Sequence, residues 1–208
     1  MLSPLQKDAL VEILNTHIGK AASSLSEMVN QKVILSVPEI ELKDSSDINF
    51  YQFEKEGIFS NSEVVMSSIK FGEIFKGDAN IVFPMANVKV LVDACLGNEN
   101  EPGNTKLTNE DLDVIKELCN VVLNALIGEF GNLLDVRLEY TSPKIDFALI
   151  SSLEQSEIIP SNTYVLILYT SFFLAKSQIR GLILIALTEN SVNLLLQKID
   201  ELLGDMNV

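Results

Sequence analysis

The sequence predicts an α+β fold in which an antiparallel β-sheet packs against long α-helices, built from two similar halves related by a pseudo-twofold axis. The first observation is a polar pattern, D-x3-E-x2-N-x22-P, that occurs twice in the 208 residues. Its members are Asp8, Glu12, Asn15 and Pro38 and, each 105 positions later, Asp113, Glu117, Asn120 and Pro143. The second observation is that each copy is set in the same order of elements: long helix, strand, irregular stretch, two strands and closing helix. This register indicates an ancestral duplication.

Capping signals place the start of each long helix. Ser3 and Pro4 suit the N-cap and the first helical position, and Gln6 completes a capping box. Thr108 and Asp111 repeat the cap and the third-position partner 105 positions later. We therefore expect helices that run from these caps to around residues 30 and 133.

Alternating apolar residues predict a strand with one buried face after each long helix. Pro38 and Pro143 have no N–H to donate to a ladder, so each is expected at an edge strand or a bulge. Each half is expected to close with a helix that ends in a Leu-Gly pair, at 96–97 and 203–204, because glycine commonly follows a helix. The predicted strands are 32–42, 63–71 and 73–83 in the first half and 135–147, 164–174 and 178–187 in the second, with a short helix around 48–56.

The chain is predicted to form a single domain over residues 1–208. Its repeats are expected at 1–97 and 105–208. The segment 98–104 between them is polar and contains a Pro-Gly pair, which is typical of a linker.

Composition narrows the class of protein and its partners. The chain is 47% hydrophobic and 21% charged, which is ordinary for a globular protein. A net charge of −14 argues against nucleic acid and anionic membranes as main partners. No signal peptide or apolar run of about 20 residues is apparent, and the two cysteines lack a disulfide or metal spacing. A cytoplasmic protein without membrane insertion is expected.

The repeated motif has a definite geometry on a helix. Asp8, Glu12 and Asn15 fall within about 60° of arc, opposite an apolar stripe, so we expect them to face solvent. Taken singly, such a trio is typical of a solvated helix face. Its repetition, and the poor helix propensity of asparagine, favour a functional role. An amide can orient a water molecule, and a glutamate can anchor a cation on a partner.

These residues resemble the [D/S]-x3-E-x2-N-x22-P signature of the CheC/FliY/CheX phosphatases of bacterial chemotaxis, with a match at all eight positions. The sequence that flanks the motif also resembles the family, in Leu25-Ser-Glu-Met and in Val33-Ile-Leu-Ser-Val-Pro-Glu. CheX-like members keep one motif copy, and FliY-like members carry a further C-terminal domain for which no room is seen after Val208. The resemblance therefore implies a CheC-like fold, with CheC as the expected branch.

The resemblance implies a phosphatase that hydrolyses the aspartyl phosphate of phosphorylated CheY or a related response regulator. In such a protein the asparagine orients the attacking water and the glutamate docks against a lysine of the regulator. The implied catalytic residues are Glu12 and Asn15 at one site and Glu117 and Asn120 at the other, and the implied supporting residues are Asp8, Pro38, Asp113 and Pro143. No cofactor or metal of its own is implied, because the Mg²⁺ belongs to the regulator.

The sequence leaves two questions open. CheC relatives usually show a glycine-rich run after the first motif asparagine, whereas Asn15 is followed only by Gly19 and Asn120 has no glycine before Gly128. The two sites need not be equally active. The alternative function is a low-activity binding module that sequesters a partner such as the receptor deamidase CheD, which CheC relatives bind.

The remaining reactive residues predict no other chemistry. His17 is the only histidine and is expected at the surface or at the boundary of the core. Phosphate-loop, dinucleotide and nucleophile-elbow patterns are absent from the sequence. Cys95 and Cys119 are expected to be core residues.

Overall fold

A computed structural model describes residues 2–55, 59, 63–98, 106–153, 159–174 and 177–205. The first half contains α1 (Pro4–Met28), β1 (Val33–Asp44), a 3₁₀ turn (Ser45–Asp47), α2 (Phe50–Lys55), β2 (Glu63–Phe71), β3 (Gly77–Pro84) and α3 (Met85–Leu96). The second half contains α4 (Asn109–Leu134), β4 (Lys144–Leu149), α5 (Ile150–Leu153), β5 (Tyr164–Leu174), β6 (Ser177–Leu187) and α6 (Glu189–Asp205). The α+β class is confirmed.

The strands form one six-stranded sheet in the order β1-β5-β6-β3-β2-β4, and every neighbouring pair is antiparallel. If each strand is exchanged for its counterpart in the other half, the order reads the same in reverse. Each half therefore contributes one outer strand that pairs with the other half: β1 pairs with β5, and β4 pairs with β2. The duplication itself stays a prediction, as do the repeat boundaries, since 99–105 lie outside the described residues.

The sheet buries apolar side chains on both faces. Leu166 and Leu168 of β5 belong to the large core beneath α1, α3, α4 and α6, whereas Val165 and Ile167 point to the smaller core around α2 and α5. Because successive side chains of a strand alternate between faces, burial on both sides requires an unbroken apolar run. This explains why the run at 165–168 is uniformly apolar and not alternating.

The predicted helix starts are confirmed. The Ser3 hydroxyl accepts from the Gln6 backbone N–H, and the Gln6 side chain accepts from the Ser3 N–H. Thr108 and Asp111 form the same capping box on α4. Both signals are local in sequence, so the tertiary structure does not override them.

Of the two helix C-termini predicted at a Leu-Gly pair, one is confirmed and the other is wrong. Gly97 ends α3 in the left-handed conformation, with φ of 68°, as expected. The stop at Gly204 is wrong: α6 continues to Asp205, and Gly204 does not have positive φ. Leu202 and Leu203 still pack against the core in this last turn, which favours continuation of the helix.

The strand predicted over 135–147 is wrong in its first part. Asp135 ends α4 in the left-handed region, and the Val136 N–H bonds back to the Gly131 carbonyl at 2.9 Å. The chain then passes the end of β2, where the Thr141 N–H bonds to the Lys70 carbonyl at 2.9 Å. Before β4, only an isolated bridge at Tyr140 is formed. These bonds hold 136–143 outside a regular ladder until Lys144.

The long helices are amphipathic. The buried stripe of α1 includes Leu10, Leu14 and Ile18, as predicted, and the buried stripe of α4 is wider. In the ranges that the structure describes, no helix combines the length and apolar character needed to cross a membrane.

Each motif helix packs beside the closing helix of the other half, α1 beside α6 and α4 beside α3. The Gln6 amide donates to Asp200 at 2.7 Å in the first junction. In the second, the ammonium of Lys89 lies 2.8 Å from Asp93 and 3.1 Å from Asp111, and the side chain of Lys89 is 11% exposed. In both junctions the third-position residue of the capping box reaches the neighbouring helix. The two halves are therefore joined at the start of each motif helix.

We predict that Asp111→Asn lowers the free energy of unfolding by about 2 kcal/mol at pH 7, because Lys89 loses one charged partner but keeps Asp93. Burial raises the pKa of Asp111, but its hydrogen bonds with Thr108 and Lys89 outweigh burial and hold that pKa below 3.8. The ion pair with Asp93 raises the pKa of Lys89 above 10.5.

The stabilisation from Asp111 is therefore complete above its unfolded-state pKa of about 4 and is lost as pH falls through the lower folded-state value. Urea unfolding at pH 7 and at decreasing pH measures this difference. Glu110→Gln, at an exposed residue of the same turn, is the control. Equal stability of the two variants at pH 7 would contradict the prediction.

Candidate functional site

The first motif copy lies on the N-terminal half of α1. Asp8 and Glu12 are exposed, as predicted. Among the described residues, neither carboxylate forms an ion pair or a side-chain hydrogen bond. Glu12 therefore presents a free anionic group to solvent.

The helix pattern predicts that Asn15 faces solvent, but its side chain is not freely solvated. It is half-buried, and its Nδ2 donates to the Val37 carbonyl at 2.9 Å. The Val37 N–H in turn donates to Asn15 Oδ1 at 2.9 Å. The amide thus pairs with a backbone peptide as a neighbouring strand would.

An irregularity in β1 explains why the Val37 backbone takes this partner. Ser36 pairs with Ser171 and Glu39 with Tyr169, so β1 contains one more residue than β5 across this interval. Pro38 lies within the bulge, which agrees with the expectation for a residue that cannot donate. The spacing N-x22-P therefore places the amide against the residue that precedes the proline.

The bonds to Val37 leave part of the Asn15 amide available. An amide carries two N–H donors and an oxygen with two lone pairs, and Val37 uses one of each. The remaining N–H and lone pair can bind a further group. Because a backbone N–H must face an oxygen and a carbonyl must face a donor, the same bonds fix which end of the amide is Oδ1.

The second motif copy lies on α4, with Asp113 and Glu117 exposed like their counterparts. Asn120 is half-buried, and its Oδ1 accepts from Asn124 Nδ2 at 2.9 Å. In the part of the chain described, no hydrogen bond joins Asn120 to the segment before Pro143. Both N–H groups of the Asn120 amide therefore remain available.

The different course of the second strand accounts for this asymmetry. The carbonyl of Glu139 accepts from the Gly72 N–H at 2.8 Å, which ties the chain before Pro143 to the turn after β2. Pro143 precedes β4, an edge strand, where its missing N–H is tolerated as predicted. Asn124 occupies the turn of α4 below Asn120 and supplies the contact that Val37 makes in the first copy. The Oδ1 of Asn124 is buried, and no group in the described ranges donates a hydrogen bond to it.

His17 joins the two motif helices. Its Nε2 lies 2.8 Å from a carboxylate oxygen of Glu129 on α4, and its Nδ1 lies 3.2 Å from the Ile13 carbonyl. Both ring nitrogens lie within hydrogen-bond distance of oxygens, so the ring connects the backbone of α1 to the Glu129 carboxylate on α4. The ring is 26% exposed, which agrees with the boundary position predicted for it.

The cysteines are unsuited to nucleophilic chemistry. Cys119 is buried in the core, as predicted, and Cys95 is half-buried. Burial raises the pKa of Cys95 to about 11 and that of Cys119 to about 12. Both thiols are therefore protonated at neutral pH.

Sequence reasoning missed the residues that hold the motif asparagines. Val37 acts through its backbone, which carries no side-chain signal. Asn124 had a signal, since it lies four positions after Asn120 and so on the same helix face. Glu129 lies far in sequence from His17, and only the packing of α1 on α4 brings them together.

We predict that Asn15→Ala destabilises the protein more than Asn120→Ala does. The first variant loses two hydrogen bonds at about 1 kcal/mol each and gains about 0.5 kcal/mol of helix propensity, a net loss of about 1.5 kcal/mol. The second loses one bond for the same gain, a net loss of about 0.5 kcal/mol.

Urea denaturation of both variants measures the difference. Asn193→Ala, at an exposed position of α6, reports helix propensity alone. Equal losses for Asn15→Ala and Asn120→Ala would contradict the prediction, since they would mean that the two bonds to Val37 contribute no more stability than the single bond to Asn124.

Comparison with known proteins places this fold. No family model matches the chain. The flagellar motor switch phosphatase FliY of Bacillus subtilis is 20% identical over 161 residues, and the match covers 77% of this chain and 40% of that protein. The chain therefore spans less than half the length of this relative.

Two solved structures share the architecture. Thermotoga maritima FliY superposes with a TM-score of 0.76 at 18% identity, covering 97% of this chain and 98% of that one. The FliM middle domain from H. pylori gives a TM-score of 0.66 at 11% identity, covering 95% and 99%. These likenesses establish the fold, and the narrower placement beside CheC stays a prediction. The sequence match to FliY, these shared folds and the motif in both halves support the resemblance of this chain to the CheC/FliY/CheX family of chemotaxis proteins.

Proposed function

We propose that this chain hydrolyses the aspartyl phosphate of a phosphorylated response regulator, CheY or a related protein. One observation carries the proposal. Each motif helix presents an exposed glutamate one turn from an asparagine whose amide is held by the fold and keeps hydrogen-bonding groups to spare.

The glutamates serve as anchors for the regulator. Glu12 and Glu117 carry no partner among the described residues, so each is free to accept a charge-assisted hydrogen bond from a lysine. This contact fixes the position of the regulator but takes no part in bond breaking.

The asparagines act on the water. The spare groups of the Asn15 and Asn120 amides hydrogen-bond a water molecule and direct its oxygen at phosphorus. The new bond joins that oxygen to phosphorus, and the bond between phosphorus and the aspartyl oxygen breaks. The water's proton passes to the leaving carboxylate or to solvent, and the products are inorganic phosphate and the free aspartate. Mg²⁺ held by the regulator stays on the substrate.

Fixed orientation is the contribution of this chain to the rate. An amide that already faces one way loses little conformational freedom when the water binds. Val37 bonds to both the nitrogen and the oxygen of the Asn15 amide. Asn124 bonds only to the oxygen of the Asn120 amide. The name of the B. subtilis relative, a motor switch phosphatase, supports the reaction class.

The alternative is a binding module with little catalysis, for a partner such as a CheD-like deamidase. The engagement of Asn15 with Val37 favours it, because a structural bond alone would account for an asparagine at this position. No residue in the described ranges partners the exposed carboxylates of Glu12 and Glu117, and this favours the phosphatase.

We predict that the double variant Asn15→Ala/Asn120→Ala loses at least about 100-fold in the rate of phosphate loss from the regulator, by analogy with removal of one hydrogen-bond donor from an active site. Each single variant retains the activity of the other copy. The measurement is release of inorganic phosphate from a regulator phosphorylated with a small-molecule donor.

Asn193→Ala is the matched control and should leave the rate unchanged. A double variant as active as the wild type would remove both asparagines from the mechanism. A wild-type protein that binds the deamidase but releases no phosphate from any regulator of its genome would favour the binding module.

We also predict that Asn124→Ala lowers the activity of the second site alone. In the Asn15→Ala background the loss of one hydrogen bond, about 1 kcal/mol, reduces kcat roughly fivefold because the Asn120 amide turns more freely. In the Asn120→Ala background the same substitution leaves kcat unchanged. An equal effect in both backgrounds would point to general destabilisation instead of positioning.

A further inference from the structure

An apolar groove lies beside the first motif copy, between α1, α4 and α6. We call it the α1–α6 groove. Its volume is about 410 Å³, which is within the range of small binding pockets. Its lining includes Leu5, Asp8, Glu12, Ile13, Ile199 and Leu202.

Aliphatic side chains from α1 and α6 form part of the groove wall, and Leu5 among them is accessible to solvent. Leu5 is 57% exposed, although most leucines of α1 are buried in the core. Ile199 is fully buried in the wall formed by α6, and Leu202 is half-buried there. The exposed leucine and the apolar wall of the groove together can bind one apolar side chain.

Glu12 separates the groove from the amide proposed to act on water. On α1, Asn15 lies about 60° to one side of Glu12, toward β1, and Ile13 lies about 100° to the other side, toward the groove. A partner whose cation rests on Glu12 and whose phosphate reaches Asn15 therefore covers the mouth of the groove as well.

The charge at the rim favours a basic partner. Asp8 and Glu12 are exposed and form no ion pair with any described residue. The nearby Lys7 is directed to Glu39, 3.3 Å away and outside the groove, and His17 contacts Glu129 at the inner end. The rim thus carries uncompensated negative charge beside an apolar hollow.

We propose that the α1–α6 groove receives an apolar side chain of the regulator, carried on the same surface as the lysine that contacts Glu12. The matching chemistry is an apolar residue within about one helical turn of a basic residue, so that one fills the hollow while the other meets the rim. The inference rests on the proposed function and adds to it a determinant of which regulators are accepted.

The test separates binding from chemistry. Leu5→Gln and Leu5→Gln/Leu202→Gln remove apolar surface without adding charge, and exposure of Leu5 means that the first should fold normally. We expect KM for the phosphorylated regulator to rise about threefold in the single and about tenfold in the double variant. We expect kcat to stay within about twofold of wild type, since the amides are untouched. Ile74→Gln, at a residue 72% exposed in the turn between β2 and β3, is the matched control and should change neither constant.

The outcomes are distinguishable from failure of the phosphatase proposal. A wild-type KM in the folded double variant would overturn the groove assignment and leave the phosphatase in place. If the wild type releases no phosphate, affinity for the beryllofluoride-activated regulator is measured by calorimetry. A weaker affinity of the double variant then supports the groove without catalysis, whereas equal or absent binding overturns it.

Discussion

The fold depends on strands exchanged between its halves. β1 is held by β5 and β4 by β2, so each outer strand completes its ladder on the other half of the chain. The central pair, β3 and β6, also joins the two halves. Backbone groups of a strand need partners, and apolar side chains on both faces need cover, so neither half satisfies its own requirements. The two motif helices are positioned by this shared sheet.

The edge strands decide how each motif asparagine is held. β1 is 12 residues long, and its bulge turns the peptide of Val37 toward Asn15. β4 is only 6 residues long, because the preceding segment is bound to the end of β2. The same motif therefore lies in two environments, a backbone clamp in one half and a neighbouring amide in the other.

Local signals predicted much of the fold. The capping boxes at Ser3 and Thr108 and the stop at Gly97 appear where the sequence placed them, because each depends on residues within one turn. The first part of the strand predicted over 135–147 and the helix end predicted at Gly204 were wrong, because bonds to β2 and packing of the last turn of α6 override local preference. The exposure of Glu12 and Glu117 followed from helical periodicity. The engagement of their asparagines did not.

The sequence by itself determined the α+β class, the two motif helices, their exposed acids and the resemblance to the CheC/FliY/CheX family, since these depend on spacing along the chain. Only the tertiary structure decided that Asn15 pairs with Val37, that no described residue before Pro143 reaches Asn120, and that the α1–α6 groove opens beside Glu12. Each of these depends on where strands or helices distant in sequence come to lie. A hydrogen bond requires placement within a few tenths of an ångström, and residue spacing does not specify the path of the chain to that accuracy.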